Sequence, residues 1–253
     1  MLKVENLSKV YPNGTQALKD VSFEVQDGEF LAVIGLSGSG KSTLLRCINR
    51  LVEPTSGKIC WDGQDVAKIS AAEMRKVRRH IGMIFQQFNL VKRSSVLTNV
   101  LSGRLGYTGT LASALHIFSA ADHQKALRSL EQVGLAEKAH ARADALSGGQ
   151  QQRVGIARAL MQDPRLILAD EPVASLDPVL AHTILKYLEQ LNREQGITVM
   201  CSLHHLDLVH RYASRAIALK DGALVFQGLP QEIDDAQFKA IYGQEAERVT
   251  AHD

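Results

Sequence analysis

One loop constrains this 253-residue chain more than any other feature: Gly35-Leu-Ser-Gly-Ser-Gly40-Lys41-Ser42, between a buried strand and the start of a helix. The preceding Phe30–Ile34 is continuously apolar, as a strand covered on both faces is. Residues 44–51 are compatible with a helix. In this context the pattern predicts a phosphate-binding loop, whose backbone N–H groups curl around phosphates at the positive end of the helix. Lys41 is expected to reach the β and γ phosphates, and the Ser42 hydroxyl to bind Mg²⁺.

A second apolar strand, Leu166-Ile-Leu-Ala169, ends in Asp170 and Glu171. Strand ends of this kind place carboxylates at the sheet edge where phosphates bind. Asp170 is expected to hold the Mg²⁺ shell, directly or through a water, and Glu171 to polarise an attacking water. Taken alone, an acidic strand end is as well explained as a solvated cap. The upstream phosphate loop is what favours the nucleotide site.

Composition excludes several classes of protein. The apolar fraction is 45 %, and 29 basic against 27 acidic side chains leave a net charge of +2, which argues against disorder and against a chain-wide nucleic-acid-binding face. Cys47, Cys60 and Cys201 lie far apart and predict neither a disulfide framework nor a zinc site. No apolar run approaches the ~20 residues of a membrane span, and the N-terminus lacks signal-peptide features. The prediction is a soluble, intracellular chain.

The arrangement of elements predicts an α/β fold. Short strands with turn signals occupy the first quarter of the chain, and 88–160 reads as helical. Strand patterns return at 166–169 and 197–201 on either side of a helix at 180–194. A hairpin follows at 216–226, and then a polar, mostly helical tail. At this level, one large domain and two small ones both remain open.

The run Leu146-Ser147-Gly148-Gly149-Gln150 precedes another helix and offers backbone N–H groups and a hydroxyl to an anion. Alone it is more simply a glycine-rich loop with a serine cap. It lies between the phosphate loop and the Asp-Glu strand, in the order and approximate spacing of the ATP-binding cassette (ABC) ATPases. The chain resembles that family, the nucleotide-hydrolysing subunits of ABC transporters, to about residue 230.

The resemblance implies a P-loop NTPase fold of ABC type. It has a mixed central sheet, an N-terminal antiparallel β subdomain and an inserted α-helical subdomain. The whole chain, 1–253, is then one domain. Its core subdomain is expected at 1–87 and 161–230, the helical subdomain at about 88–160 and a tail at 231–253.

The resemblance also implies residue roles, with ATP and Mg²⁺ as cofactors. Catalysis is assigned to Glu171, His204, Lys41 and Gln86. Mg²⁺ ligation is assigned to Ser42, Gln86 and Asp170. Gln87 lies beside Gln86, and His205 lies beside His204, so each of these two assignments is ambiguous by one residue. Asp177 resembles the residue that communicates across a dimer. Nucleotide binding is assigned to Tyr11, against adenine, and to Gly35, Ser37, Gly38, Ser39, Gly40, Lys41, Ser42 and Thr43.

In this family the sites are completed across a head-to-tail dimer, so a second copy is an expected partner, with Leu146, Ser147, Gly148, Gly149 and Gln150 acting in trans. Integral membrane permease subunits are expected to hold the dimer at the cytoplasmic face of the membrane, as a peripheral protein. An extracytoplasmic solute-binding protein takes part indirectly, and no nucleic acid is expected.

The stretches 46–57, 81–90 and 169–177, and the insertion at 100–122, are similar to phosphonate importer ATPases. Phosphonates, or the related oxyanion phosphite, are therefore the expected solutes. Two alternatives remain: an importer ATPase for another solute, such as phosphate or an amino acid, and a soluble ABC ATPase without a permease. The basic segment at 75–79 is better explained as a solvated helix face than as a lipid or nucleic-acid patch.

Overall fold

The computed structural model describes residues 1–115, 117–174 and 176–243. Its strands, in chain order, are β1 Leu2–Val10, β2 Gln16–Val25, β3 Phe30–Ile34, β4 Ser56–Trp61, β5 Gln64–Asp65, β6 Ile81–Ile84, β7 Leu166–Ala169, β8 Thr198–Ser202, β9 Arg215–Lys220 and β10 Ala223–Gly228. Its α-helices are α1 Lys41–Ile48, α2 Ala71–Arg78, α3 Val96–Leu101, α4 Thr110–Ala114, α5 Ala120–Gln132, α6 Gly148–Leu160, α7 Pro178–Gln195, α8 Leu206–Tyr212 and α9 Asp235–Tyr242. A 3₁₀ segment at Ser102–Tyr107 follows α3 directly.

The chain forms two compact units. Unit 1 comprises Met1–Ala67 and Ser202–Asp253, and unit 2 comprises Lys68–Cys201. The sequence placed subdomain boundaries near 88 and 160 instead. The proposed division into core and helical subdomains therefore follows different boundaries from these units.

Unit 1 contains an antiparallel sheet in the order β2-β1-β4-β5. Leu2 pairs with Val25 on one side and with Trp61 on the other. Alternate side chains of β1, among them Val4, are buried, because one face of the sheet packs into the core. This sheet is the N-terminal antiparallel β subdomain that the resemblance implies.

The remaining strands of unit 1 position the phosphate loop. β3 is buried at all five positions and runs parallel to β9, with Leu31 opposite Arg215. β9 pairs in turn with β10 in the antiparallel sense. Both strand senses therefore occur beside the loop, as in the mixed sheet that was expected.

Unit 2 is built on the parallel strands β6, β7 and β8, whose residues are all buried. Helices α3, α5 and α6 pack on one another in the segment that the sequence predicts to be helical. α2 includes most of the basic segment at 75–79, for which the sequence predicts a solvated helix face, and it begins with a capping box between Ser70 and Glu73.

Some boundaries differ from the sequence prediction. α1 begins at Lys41 rather than near residue 44, because Gly40 in the loop is already the residue before the helix. It ends at Ile48, and Arg50 then adopts a left-handed φ of 49° that no helix continues through.

In the tail, α9 is helical as predicted, while 244–253 lie outside the described residues. Among the helices that the structure describes, none combines the length and the apolar character needed to cross a membrane.

Candidate nucleotide site

The loop after β3 has a backbone that only glycine adopts readily. Gly35, Gly38 and Gly40 have φ angles of 138°, 81° and 107°. A Cβ on Gly35 would lie 2.1 Å from the Leu219 carbonyl oxygen, and one on Gly40 would lie 2.4 Å from that of Ala17. Backbone atoms cannot withdraw as a flexible side chain can, so both positions require glycine.

The Lys41 side chain folds back onto this loop. Its Nζ donates to the carbonyl oxygens of Gly35 and Leu36 at 2.8 and 2.9 Å, and only 3 % of the residue is exposed. The loop therefore carries its positive charge at its centre, where a β or γ phosphate is expected.

The donors of this loop fit a phosphate. No side chain caps the N-terminus of α1, whereas serine caps α2, α5 and α6. The Ser39 Oγ is buried and has no hydrogen-bond partner. A buried hydroxyl and a helix N-terminus without a side-chain cap are suited to anion oxygens, so the structure supports the nucleotide-phosphate assignment on chemical grounds.

Two further predicted residues belong to unit 1. The Tyr11 hydroxyl lies 3.2 Å from the Thr43 Oγ1, which brings the proposed adenine-binding ring to the end of the loop. His204 is half-buried and follows Leu203, whose N–H donates to the Val33 carbonyl in β3. His205 is exposed at the N-terminus of α8, so its surroundings differ from those of His204.

Unit 2 carries the acidic residues. Asp170 is fully buried directly after β7, and its N–H donates to the Ile84 carbonyl at the end of β6. Glu171 has a left-handed φ of 48°, which costs of order 1 kcal/mol for a side chain of this kind. Its Oε2 accepts a hydrogen bond of 2.8 Å from the Gln86 Nε2. Of the two adjacent glutamines, Gln86 is thus the one brought to the carboxylate.

The glycine-rich run at 146–150 begins α6. Ser147 is the N-cap, and its Oγ accepts from the Gln150 N–H while the Gln150 side chain accepts from the Ser147 N–H. Ser147 and Gly148 are exposed, and Leu146 and Gly149 are buried. The serine that the sequence predicts to face an anion therefore also caps its own helix.

Gly149 packs against the helix that Asp177 caps. A Cβ at Gly149 would lie 1.9 Å from Leu180 Cδ2, so α7 approaches α6 closely here, and a larger residue would have to displace the Leu180 side chain. Asp177 is the N-cap of α7, and its Oδ1 accepts from the Leu180 N–H at 3.0 Å. Leu180, which contacts both motifs, could not be identified from the sequence pattern.

Arg158 is a second residue that sequence reasoning missed. It extends from α6 and donates to the carbonyls of Phe88 and Asn89 at 2.8 and 2.6 Å. Both of these residues have positive φ angles, and they lie just after Gln86. Burial lowers the pKa of the Arg158 guanidinium. The helix that carries the glycine-rich run at its start thus also holds the loop after Gln86.

Comparison with known proteins decides the family. The family model described as ABC transporter matches residues 18–174, more than half of the chain. This chain belongs to the ABC transporter family. The ABC chain is 58 % identical, over all of its length and 97 % of the relative's, to the phosphonates import ATP-binding protein PhnC of Bdellovibrio bacteriovorus. A PhnC protein of Halalkalibacterium halodurans is 52 % identical, over 96 % of this chain and 95 % of its own.

Solved structures agree with the ABC fold. A dimeric bacterial ABC transporter cassette superposes with a TM-score of 0.82 at 38 % identity, covering 91 % of this chain and 99 % of that one. A dimeric cassette in a post-hydrolysis state with ADP and Pi gives a TM-score of 0.81 at 37 % identity, with the same coverage. The predicted α/β fold of ABC type, with its antiparallel β and helical parts, is confirmed.

Proposed function

We propose that this ABC chain is the ATP-hydrolysing subunit of an importer that takes up phosphonates through a membrane permease. The observation that carries the ATPase assignment is the loop in unit 1, where glycine backbone, Lys41 and an uncapped helix supply donors for phosphate oxygens. The phosphonate assignment rests on relatives at 52 to 58 % identity over nearly their full length, which are named for phosphonate import. Phosphite is included as a related oxyanion.

In the proposed reaction, loop N–H groups and Lys41 hold the β and γ phosphates. Glu171 orients a water and accepts its proton as the new P–O bond forms and the bond to ADP breaks. Gln86 positions the Glu171 carboxylate through their hydrogen bond, and His204 is assigned to the γ-phosphate.

Mg²⁺ fits the proposed donors, because Ser42, Gln86 and Asp170 all offer the oxygen atoms that this hard cation prefers. When bound, the ion neutralises charge that develops on the phosphate oxygens.

The proposed assembly is a homodimer with two ATP molecules, each held by the phosphate loop of one copy and the 146–150 run of the other. Support comes from the exposure of Ser147 and Gly148 and from the dimeric cassettes that this chain resembles. Permease subunits and, indirectly, a solute-binding protein complete the proposed importer. The ATPase would then lie at the cytoplasmic face of the membrane as a peripheral subunit.

The test is complementation of a strain that lacks the gene for this chain, with methylphosphonate or phosphite as sole phosphorus source. The wild-type chain should restore growth, and Glu171→Gln should not, because removing the proton acceptor costs about 10²-fold or more in hydrolysis. Purified Glu171→Gln should still bind ATP and should accumulate as an ATP-bound dimer.

Glu131→Gln, which changes an exposed carboxylate of α5, is the matched control and should behave as wild type. Full hydrolysis by Glu171→Gln would remove the role assigned to Glu171. If the deletion strain grows normally on phosphonates but poorly on phosphate or an amino acid, the imported solute is not a phosphonate, and the chain belongs to an importer of that other solute.

A further inference from the structure

An exposed apolar surface lies outside the nucleotide site. No Asp, Glu, Lys or Arg occurs from 105 to 121. Among the described side chains of 105–118, a range here called the apolar segment, four aliphatic ones are open to solvent: Leu105 at 41 %, Leu111 at 76 %, Leu115 at 62 % and Ile117 at 58 %. Leu111 lies in α4, and Leu115, four residues later, is the C-cap residue of that helix. Four exposed aliphatic side chains within fourteen residues, with no charged side chain among them, suit an interaction surface.

The hydroxyl groups of this segment are already used. Tyr107 donates to the Gln162 carbonyl at 2.8 Å, Thr108 to that of Arg104 at 3.1 Å, and Ser113 to that of Thr108 at 3.3 Å. Protein partners form about one hydrogen bond per 100–200 Å² of interface. A surface whose described hydroxyls are satisfied internally is better suited to an occupant that makes no directional contacts.

Basic side chains border the apolar segment. The guanidinium groups of Arg79 and Arg104 lie 5.0 and 3.9 Å from the Tyr107 ring centre. Arg104 is neutralised by Asp122 and Asp163, but Arg79 follows α2, where Arg75 lies one turn earlier on the same face. Arg75 and its neighbour Lys76 are exposed. Sequence alone favours a solvated helix face here; the adjacent apolar segment changes that interpretation.

We propose that the apolar segment and the basic face of α2 together bind the surface of an anionic lipid bilayer. Leucine and isoleucine side chains enter the boundary between head groups and acyl chains, while arginine and lysine attract the anionic head groups. This contact goes beyond the proposed ATPase function and does not depend on the identity of the solute. It would give the chain a direct attachment to the membrane in addition to any attachment through a permease.

The test is co-sedimentation of the purified full-length chain with two kinds of vesicle: phosphatidylcholine alone, and phosphatidylcholine mixed with phosphatidylglycerol. The chain should bind the mixed vesicles, and the binding should weaken as salt is added. Leu111→Ser combined with Leu115→Ser should lower the partition coefficient about tenfold or more, because two exposed aliphatic groups no longer enter the bilayer. Arg75→Gln with Lys76→Gln should lower it at low salt and flatten its salt dependence.

Leu127→Ser is the matched control: Leu127 is an exposed leucine of α5, 42 % accessible, with the carboxylate Glu131 four residues further on the same face. It should bind as the wild type does. Thermal unfolding and ATP hydrolysis should be unchanged in all these variants, and Ile117→Ser replaces the double variant if that one does not fold. Absence of binding to the mixed vesicles overturns the proposal, as does equal binding by the leucine variants and wild type. Loss of permease binding in detergent without any vesicle effect would also overturn it and assign the surface to a protein partner.

Discussion

At the scale of single residues, the surroundings of a side chain determine its charge, conformation and reactivity as much as its residue type does. Lys41 is almost fully buried, yet its ammonium is satisfied by two loop carbonyls, so the charge is held where phosphates are proposed to bind. Glu171 retains an unfavourable φ because β7 and the Gln86 hydrogen bond fix its surroundings. The three cysteines differ for the same reason: Cys47 and Cys201 are fully buried, and Cys60 is partly exposed.

Burial should make two of the three thiols inert. It raises the pKa of Cys47 to about 12, and the pKa of Cys201, beside Asp170, is also raised, chiefly by burial. At pH 8 only about one Cys47 in 10⁴ is then a thiolate, and the thiolate is the reactive form. We expect Ellman's reagent to modify one thiol rapidly in the native protein and all three in denaturant. Cys60→Ser should abolish the rapid phase, and rapid modification of a second thiol would contradict the burial.

At the level of elements, helix ends are stabilised by side chains near them in sequence. In α5 the Ser119 Oγ accepts from the Asp122 N–H, and the Asp122 carboxylate accepts in return from the Ser119 N–H and Oγ. Arg104, from the 3₁₀ segment after α3, donates to the same carboxylate at 2.9 Å. One aspartate thus caps a helix and ties it to a neighbouring element.

Asp122→Asn should therefore destabilise unit 2 in a pH-dependent way. Burial alone would raise the Asp122 pKa, but hydrogen bonds from Ser119 and Arg104 outweigh it and hold the pKa below its usual value. A lowered carboxyl pKa stabilises the fold above the unfolded-state pKa of about 4, and this contribution is lost as the pH falls through the lower folded-state pKa. Urea unfolding at pH 7 should show a loss of about 1 to 2 kcal/mol in the free energy of unfolding.

The loss should shrink when the unfolding is repeated near pH 3. Asp207→Asn, in the exposed first turn of α8, is the control, with an expected change below about 0.5 kcal/mol. A pH-independent loss for Asp122→Asn would show that packing, rather than the charge, is responsible.

At the level of the whole molecule, unit 1 is assembled from both ends of the chain. The strand β9 lies beside β3 although more than a hundred residues separate them. Arg215 at the start of β9 pairs with Glu29 just before β3 at 2.5 Å, and it also donates to the Glu24 carbonyl. Only 22 % of the Arg215 side chain and 10 % of the Glu29 side chain are exposed.

Arg215→Ala should therefore lower the free energy of unfolding, because it leaves the Glu29 carboxylate buried without its cation. The expected loss is about 3 kcal/mol in the free energy of unfolding, measured in urea at neutral pH. Arg142→Ala breaks the well-exposed pair with Asp144 and should cost less than about 1 kcal/mol. Equal losses for the two variants would refute the difference in burial.

The sequence by itself determined the features that depend on neighbouring residues. The glycine spacing at 35–42 predicts the loop, the apolar runs before it and before Asp170 predict buried strands, and the order of the motifs indicates the ABC family, which the comparisons confirm. The loop and strand patterns are local, because strand burial, turn geometry and helix starts follow from a few consecutive side chains, whereas the order of the motifs is read directly along the chain.

Only the tertiary structure decided which distant residues meet. It brought Gln86, rather than Gln87, to Glu171, and it placed Arg158 against the loop after that glutamine. It also left the aliphatic side chains of Leu111 and Leu115 exposed. Such contacts depend on how helices and strands pack across long chain separations, and the free energy of that packing is not encoded in any short run of residues.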